Sequence, residues 1–295
     1  MSKETGTGTM TGEQRLKAAM RGEPVDRVPI WLREGMAVLG EPATADDFRN
    51  GWQDDPLYRE LMADIAPYAD VIGGWGLPGT NRLIMTDDRA IEREVEWVSD
   101  DIRRVTTTVH TPRGDLTGVN EAHRHEASAW CVKPLVRSRE DLTMLTEVPW
   151  ELNLDRIERA VNGYRNAKER VGDRGIVRLG LSSPVVCISG CMPFEMFLEL
   201  SVTDAGWFHD ICREITRRQL AMLDALFETG VAFDSIANLG GSEQCTPPMM
   251  QPEAFDEYVA PYDGAIVERL KRGGILVNMH CHGKVSHALG CMVEM

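Results

Sequence analysis

Two histidines and a cysteine occupy consecutive positions at the end of an apolar run, in ILVNMHCHGKV, residues 275–285. Successive side chains on a strand point to opposite faces, so His280 and His282 share a face and Cys281 takes the other. A His-x-His pair on one rigid strand end suits zinc and other borderline divalent ions, because imidazole ligates them well and little entropy is lost in organising it. The plainer alternative is two hydrogen-bonded histidines closing a core strand without metal. Further ligands must come from elsewhere: Glu243 or Cys245 in the GGSEQCTPP loop, or, farther off, Cys291. Asp234 is the expected acceptor for the second ring nitrogen of a histidine ligand.

Glu243 has three readings: a metal ligand, an acid/base group, or a solvated loop carboxylate. Asn238 is expected to contact substrate from the end of the strand before that loop. Arg33, after VPIWL, is placed to grip a carboxylate bidentately, with an ion pair to Glu34 as the ordinary alternative. His123 and His125 form a second His-x-His, but EAHRHEAS is polar, and a solvated surface is the expectation there. Ser182 and Ser183 have no adjacent base and no Gly-x-Ser-x-Gly elbow, which makes them weak nucleophile candidates. Cys187 and Cys191 read as small buried apolar residues. The chain has no Gly-x-x-x-x-Gly-Lys-Ser/Thr loop and no Gly-x-Gly-x-x-Gly opening a helix.

The elements that must position these residues alternate. TGEQRLKAAM begins as a helix stopped by Gly22 and Pro24, and RVPIWL reads as a strand. DPLYRELMADIAPYADVIGGWG reads as a helix followed by a short apolar strand, and VTTTVHTPRGDLTGVN reads as two β-rich arms around a PRGD turn. From residue 151 the pattern is regular: helix LDRIERAVNGYRNAKERV, strand GIVRLGL, helix DAGWFHDICREITRRQLAMLDALFETG, strand VAFDSIAN, helix PEAFDEYVAPYDGAIVERLKRGG and strand ILVNMHC. Repeated αβ units imply a parallel sheet, open or closed into a barrel, with functional residues at the C-terminal strand ends.

With 32 basic and 46 acidic residues the net charge is −14, a field that repels nucleic acid and anionic membranes. Seven cysteines, an odd number, argue against a disulfide framework. No apolar stretch reaches membrane-spanning length, and the first ten residues lack a secretory pattern; the expectation is a frayed leader over 1–10, one domain over 11–295, and a cytoplasmic location.

From about residue 11 onward the chain resembles the uroporphyrinogen decarboxylase superfamily, on RLKAAMRGEPVDRVPIW, WCVKPLVRSREDL, GSEQCTPPMMQPEAFDEYVAPY and GGILVNMHCHG. The resemblance implies a (β/α)8 TIM-type barrel with its active site at the C-terminal mouth. It points to the zinc- and cobalamin-linked methyltransferase branch, in which a His-x-Cys-Gly motif supplies zinc ligands. Here the matching tetrapeptide is His280, Cys281, His282 and Gly283, so His282 stands where that branch has cysteine. The branch's further cysteine ligand would lie beyond Met295, and a full barrel would need roughly two more βα units, so a barrel truncated at its C-terminus is expected.

The implied activity is metal-dependent transfer of a methyl group between a corrinoid and a small acceptor or methoxylated donor. His280, His282 and Glu243 would bind the metal, Asp234 and Glu243 would serve catalysis, and Arg33 and Asn238 would contact substrate. Zinc is the expected metal. Expected partners are a small-molecule substrate, a corrinoid protein carrying the methyl group and a second copy of the chain, with no nucleic acid and no membrane. The alternatives are a decarboxylase of the uroporphyrinogen type, for which Arg33 beside Glu34 is a poor match, and a noncatalytic barrel that binds a corrinoid or another small molecule.

Overall fold

The computed structural model describes residues 9–32, 55–78, 83–124, 126 and 128–295. Arg33 and His125 lie outside the described residues.

Two sheets organise the chain. The first is parallel, with strands β1 (Val71–Gly76), β6 (Gly175–Ser182), β7 (Ser235–Gly240) and β8 (Leu276–His280) side by side in that order. Between β1 and β6 the chain builds an antiparallel meander of β2 (Ile91–Ser99), β3 (Ile102–Thr111), β4 (Gly114–His123) and β5 (Ala129–Lys133). The PRGD turn joins β3 and β4 as its proline and glycine require. The helices are α1 (Gly12–Met20), α2 (Pro56–Ile65), α3 (Arg139–Thr146), α4 (Leu154–Val171), α5 (Pro184–Ser189), α6 (Phe194–Thr203), α7 (Ala205–Glu228), α8 (Glu253–Tyr258), α9 (Ala260–Arg272) and α10 (Leu289–Glu294). This is an α/β fold with a parallel sheet. Among the described residues that sheet has four strands and is open, and no pairing closes β8 onto β1.

Register divides the parallel sheet into two chemically different faces. Val71, Trp75, Val177, Leu179, Ala237 and Leu239 point one way and are buried in the main core with α4, α7 and α9. Residues of the other parity align across the sheet: Gly74 with Arg178, Gly180 with Asn238, Asn238 with Asn278, and Gly240 with His280. At the N-terminal end of this second face, Leu16 of α1 packs on Ile176, Ile236 and Ile72 as an apolar plug. Above the plug the face is glycine and polar side chains.

Two expected strands differ from what is observed. RVPIWL, described through Leu32, joins no ladder. Pro29 has no amide to donate, and Ile30 instead donates to the Asp70 carboxylate at 3.0 Å and accepts from the Asp70 amide at 2.7 Å. In VAFDSIAN the strand begins only at Ser235, because Phe233 is a loop residue stacked on Trp75 at 5.3 Å and edge-on to Tyr164 at 4.9 Å.

No helix among the described residues is long and apolar enough to cross a membrane.

Candidate active site

β8 ends at His280, and the backbone turns out of the sheet through Cys281, His282 and Gly283. The His280 and His282 rings meet edge to face, with centroids 4.4 Å apart and planes at 86°. Cys281 turns the other way, toward Ser242, Glu243 and the buried Asp263. Burial raises the Cys281 thiol above its ordinary value; the Ser242 hydroxyl opposes the shift, and the charges of Glu243 and Asp263 add to it. The Cys281 Sγ donates weakly to the His282 carbonyl at 3.7 Å.

The loop after β8 is sewn to the loop after β7. Thr246 Oγ1 donates to the His282 carbonyl at 3.2 Å, and the Lys284 amide donates to the Pro247 carbonyl at 3.1 Å. Gly283 makes that approach feasible: its φ is +94°, and an added Cβ would stand 2.7 Å from the Pro247 carbonyl oxygen. Gly241 does the same at the exit of β7, with φ +104° and space for a Cβ taken by Val186 at 2.5 Å.

Glu243 sits half-buried in the short 3-10 turn Ser242–Cys245, and one carboxylate oxygen accepts from the Gly241 amide at 3.2 Å. Asn238 lies on the same sheet face as His280, where its carboxamide oxygen accepts from Asn278 Nδ2 at 2.7 Å. Gly240, between them, leaves both in reach of one open surface: a Cβ there would touch Asn238 Nδ2 at 3.6 Å and His280 Cδ2 at 3.9 Å. His280, His282, Glu243 and Asn238 thus gather at the C-terminal end of the sheet.

Asp234 does not join them. It precedes β7, and the six residues to Gly240 span roughly 20 Å of extended chain. Its carboxylate accepts from Lys17 at 2.6 Å and Lys168 at 2.7 Å, and Glu13 completes the cluster by accepting from both lysines at 2.8 Å. Burial alone would raise the Asp234 carboxyl, but the lysine hydrogen bonds override it and hold the group well below the usual carboxylate range. The expectation that Asp234 orients a histidine ligand or serves catalysis is corrected on this geometry: it is a strut at the opposite end of the sheet. The cause is the late start of β7.

Two further residues, not singled out from sequence, belong to the C-terminal end. Asn278 shares the parity of His280 and is legible from alternation alone. Asp263, in the first turn of α9, is 0% exposed and accepts from Ser183 Oγ at 2.7 Å, while its Oδ2 has no partner among the described residues. Burial pushes Asp263 up to about 7 against the pull of the Ser183 hydrogen bond. Its sequence signal is a carboxylate aligned with the apolar positions Ile266, Val267 and Leu270.

Among the described residues no three or more His, Cys, Asp and Glu side chains form a group able to hold a metal. Two imidazoles supply half of a tetrahedral shell. Glu243, expected as a third ligand, therefore does not form such a group with His280 and His282. The chemistry of the pair fits zinc, and a bound ion would draw its remaining ligands from residues outside those described or from substrate.

A protein-family model for uroporphyrinogen decarboxylase (URO-D) matches residues 123–295, more than half of the chain. The chain belongs to the uroporphyrinogen decarboxylase family. Two curated relatives are methylcobamide:CoM methyltransferases MtaA, one from Methanosarcina barkeri and one from its strain Fusaro. Each is 22% identical over 290 residues, covering 96% of this chain and 73% of the relative. These place the likeness in the methyltransferase branch of the family. A solved methyltransferase from Methanosarcina mazei is 17% identical with a TM-score of 0.49, covering 97% of this chain and 74% of that one.

Proposed function

We propose that this family member is a zinc-dependent methyltransferase that moves a methyl group between a corrinoid, carried by a partner protein in the cytoplasm, and a small acceptor or methoxylated donor. The observation carrying the proposal is the His280–His282 pair at the open C-terminal end of a parallel sheet, in a chain whose curated relatives are named for methyl transfer from a methylcobamide to CoM.

His280 and His282 would hold the ion, and Glu243 is the candidate proton acceptor. Zinc lowers the pKa of a thiol bound to it, so that thiolate is present at neutral pH. Two neutral imidazoles leave more positive charge on the ion than an imidazole and a thiolate would, which favours this polarising role. The chain's own contribution is placement. Gly240 keeps the surface beside His280 open, Asn238 and Asn278 offer amide groups to the substrate from a rigid ladder, and the bonded β7 and β8 loops fix where the imidazoles stand. Closure of the sheet into a TIM-type barrel by chain outside the described residues would wall this face from water.

The test is turnover of methylcobalamin with small thiols, followed by loss of the methylcorrinoid spectrum and by mass spectrometry of the methylated thiol. Zinc-dependent methyl transfer is expected. Carbon dioxide release from a porphyrinogen acid in its absence would overturn the reading in favour of a decarboxylase.

A further inference from the structure

We infer that the cleft between the antiparallel meander and the turn from α5 to α6 binds a small molecule bearing a dianionic phosphate group, at a site separate from the histidine pair. The cleft holds about 810 Å³, a size that takes a small organic ligand rather than a lone ion.

Its polar groups come from all four strands of the meander. Arg93 on β2 lies opposite Thr107 on β3, Thr107 lies opposite Gly118 on β4, and Asn120 on β4 lies opposite Cys131 on β5. Lys133 closes the far edge, beside Val119. Two long cationic side chains thus flank a hydroxyl and an amide from opposite sides. The floor is apolar: Leu135 packs so closely on Gly118 that a Cβ there would stand 3.1 Å from it. The facing wall is the turn containing Ser189, Gly190 and Met192, tied to the meander's exit by the Val136 amide donating to the Cys191 carbonyl at 3.0 Å.

Charge decides the ligand class. The chain carries 46 acidic residues against 32 basic ones, yet the cleft is lined by Arg93 and Lys133 and, among the described residues, by no carboxylate. Neither cation has an ion-pair partner among the described residues. Elsewhere on the meander the pattern is reversed: Arg104 is held by Glu121 and Glu96, and Arg113 by Glu140 and Glu147. A guanidinium fork with a lysine point charge matches a phosphate monoester, which carries close to two negative charges at neutral pH. A monocarboxylate would leave one of the two cations unmatched. Leu83, Leu135 and Met192 would cover the organic part of the ligand.

The test is calorimetric titration of the full chain with phenyl phosphate, inorganic phosphate and benzoate at low salt. Phenyl phosphate is expected to bind more tightly than either of the others. Arg93→Gln and Lys133→Gln are each expected to weaken it by about tenfold or more, the loss of one charge-assisted hydrogen bond. Arg104→Gln, outside the cleft, should leave it unchanged. Circular dichroism of each variant would separate lost binding from lost fold. Benzoate binding as tightly as phenyl phosphate, undiminished binding by a folded Arg93→Gln/Lys133→Gln double variant, or no binding by the wild type would overturn the assignment.

Discussion

The two ends of the parallel sheet are built on opposite principles. At the N-terminal end charge is matched by charge. Arg15, 4% exposed, bonds Asp26 and the 1% exposed Asp70, Arg27 adds a second hold on Asp70, and Lys17 and Lys168 clasp Asp234 over the Leu16 plug. At the C-terminal end stand two touching imidazoles, a half-buried Glu243, paired asparagines and a buried carboxylic acid with an oxygen left over. One end fixes the chain, and the other gathers groups suited to engaging a ligand. A carboxylate saturated by lysines is a strut, however attractive its place in the sequence.

Breaking the N-terminal end should have the largest effect on stability. Arg15→Ala leaves Asp70 buried and short of its main partner, and should cost about 3–5 kcal/mol in denaturant unfolding, with methyl transfer per folded molecule unchanged. A smaller loss would mean that Arg27 alone satisfies Asp70.

Next comes Asp263, which sharpens the contrast through pH. Its folded pKa lies above its unfolded one, so its contribution to stability is full below about 4, the ordinary aspartate value, and is lost as pH rises through about 7. Asp263→Asn should keep the Ser183 hydrogen bond and remove this slope, leaving the variant more stable than wild type at pH 8 by up to about 4 kcal/mol. Parallel stability–pH curves for the two proteins would refute the buried-acid reading.

Gly283→Ala should cost about 1–3 kcal/mol through backbone strain and crowding against Pro247. It should also lower methyl transfer, because the loop carrying His282 must move. Asp234→Asn should cost only about 1 kcal/mol, since that carboxylate is nearly half exposed. Asp26 and Asp234 are both held below the usual carboxylate range, so their stabilisation is present above about pH 4 and lost as pH falls below it. The Asp234→Asn variant should show a shallower loss in acid unfolding curves.

Much of this architecture is legible in the amino-acid sequence. α4 occupies the segment that reads as a helix, β6 and β8 fall within a residue of the runs GIVRLGL and ILVNMHC, and the His280 and His282 rings do meet, though through the turn that follows β8 rather than by alternation along it. The departures have physical causes. Phe233 lends apolar weight to the β7 run while packing as a loop plug, and the resulting shift carries Asp234 to the other end of the sheet. β2 and β5 escape a reading by periodicity because the exposed sequence IEREVEWVS and the short AWCVK show no buried face. Pro261 divides a single expected helix into α8 and α9. Asp263 does not stand out because a lone carboxylate in an amphipathic helix is ordinarily solvated.

The contrast between the two ends is tested most directly by zinc analysis of purified wild-type protein, the His280→Ala and His282→Ala variants, and Asp234→Asn. One zinc per chain is expected in the wild type and in Asp234→Asn, with the metal lost from both histidine variants while they stay folded. Zinc retained by both histidine variants, or lost from Asp234→Asn alone, would contradict it.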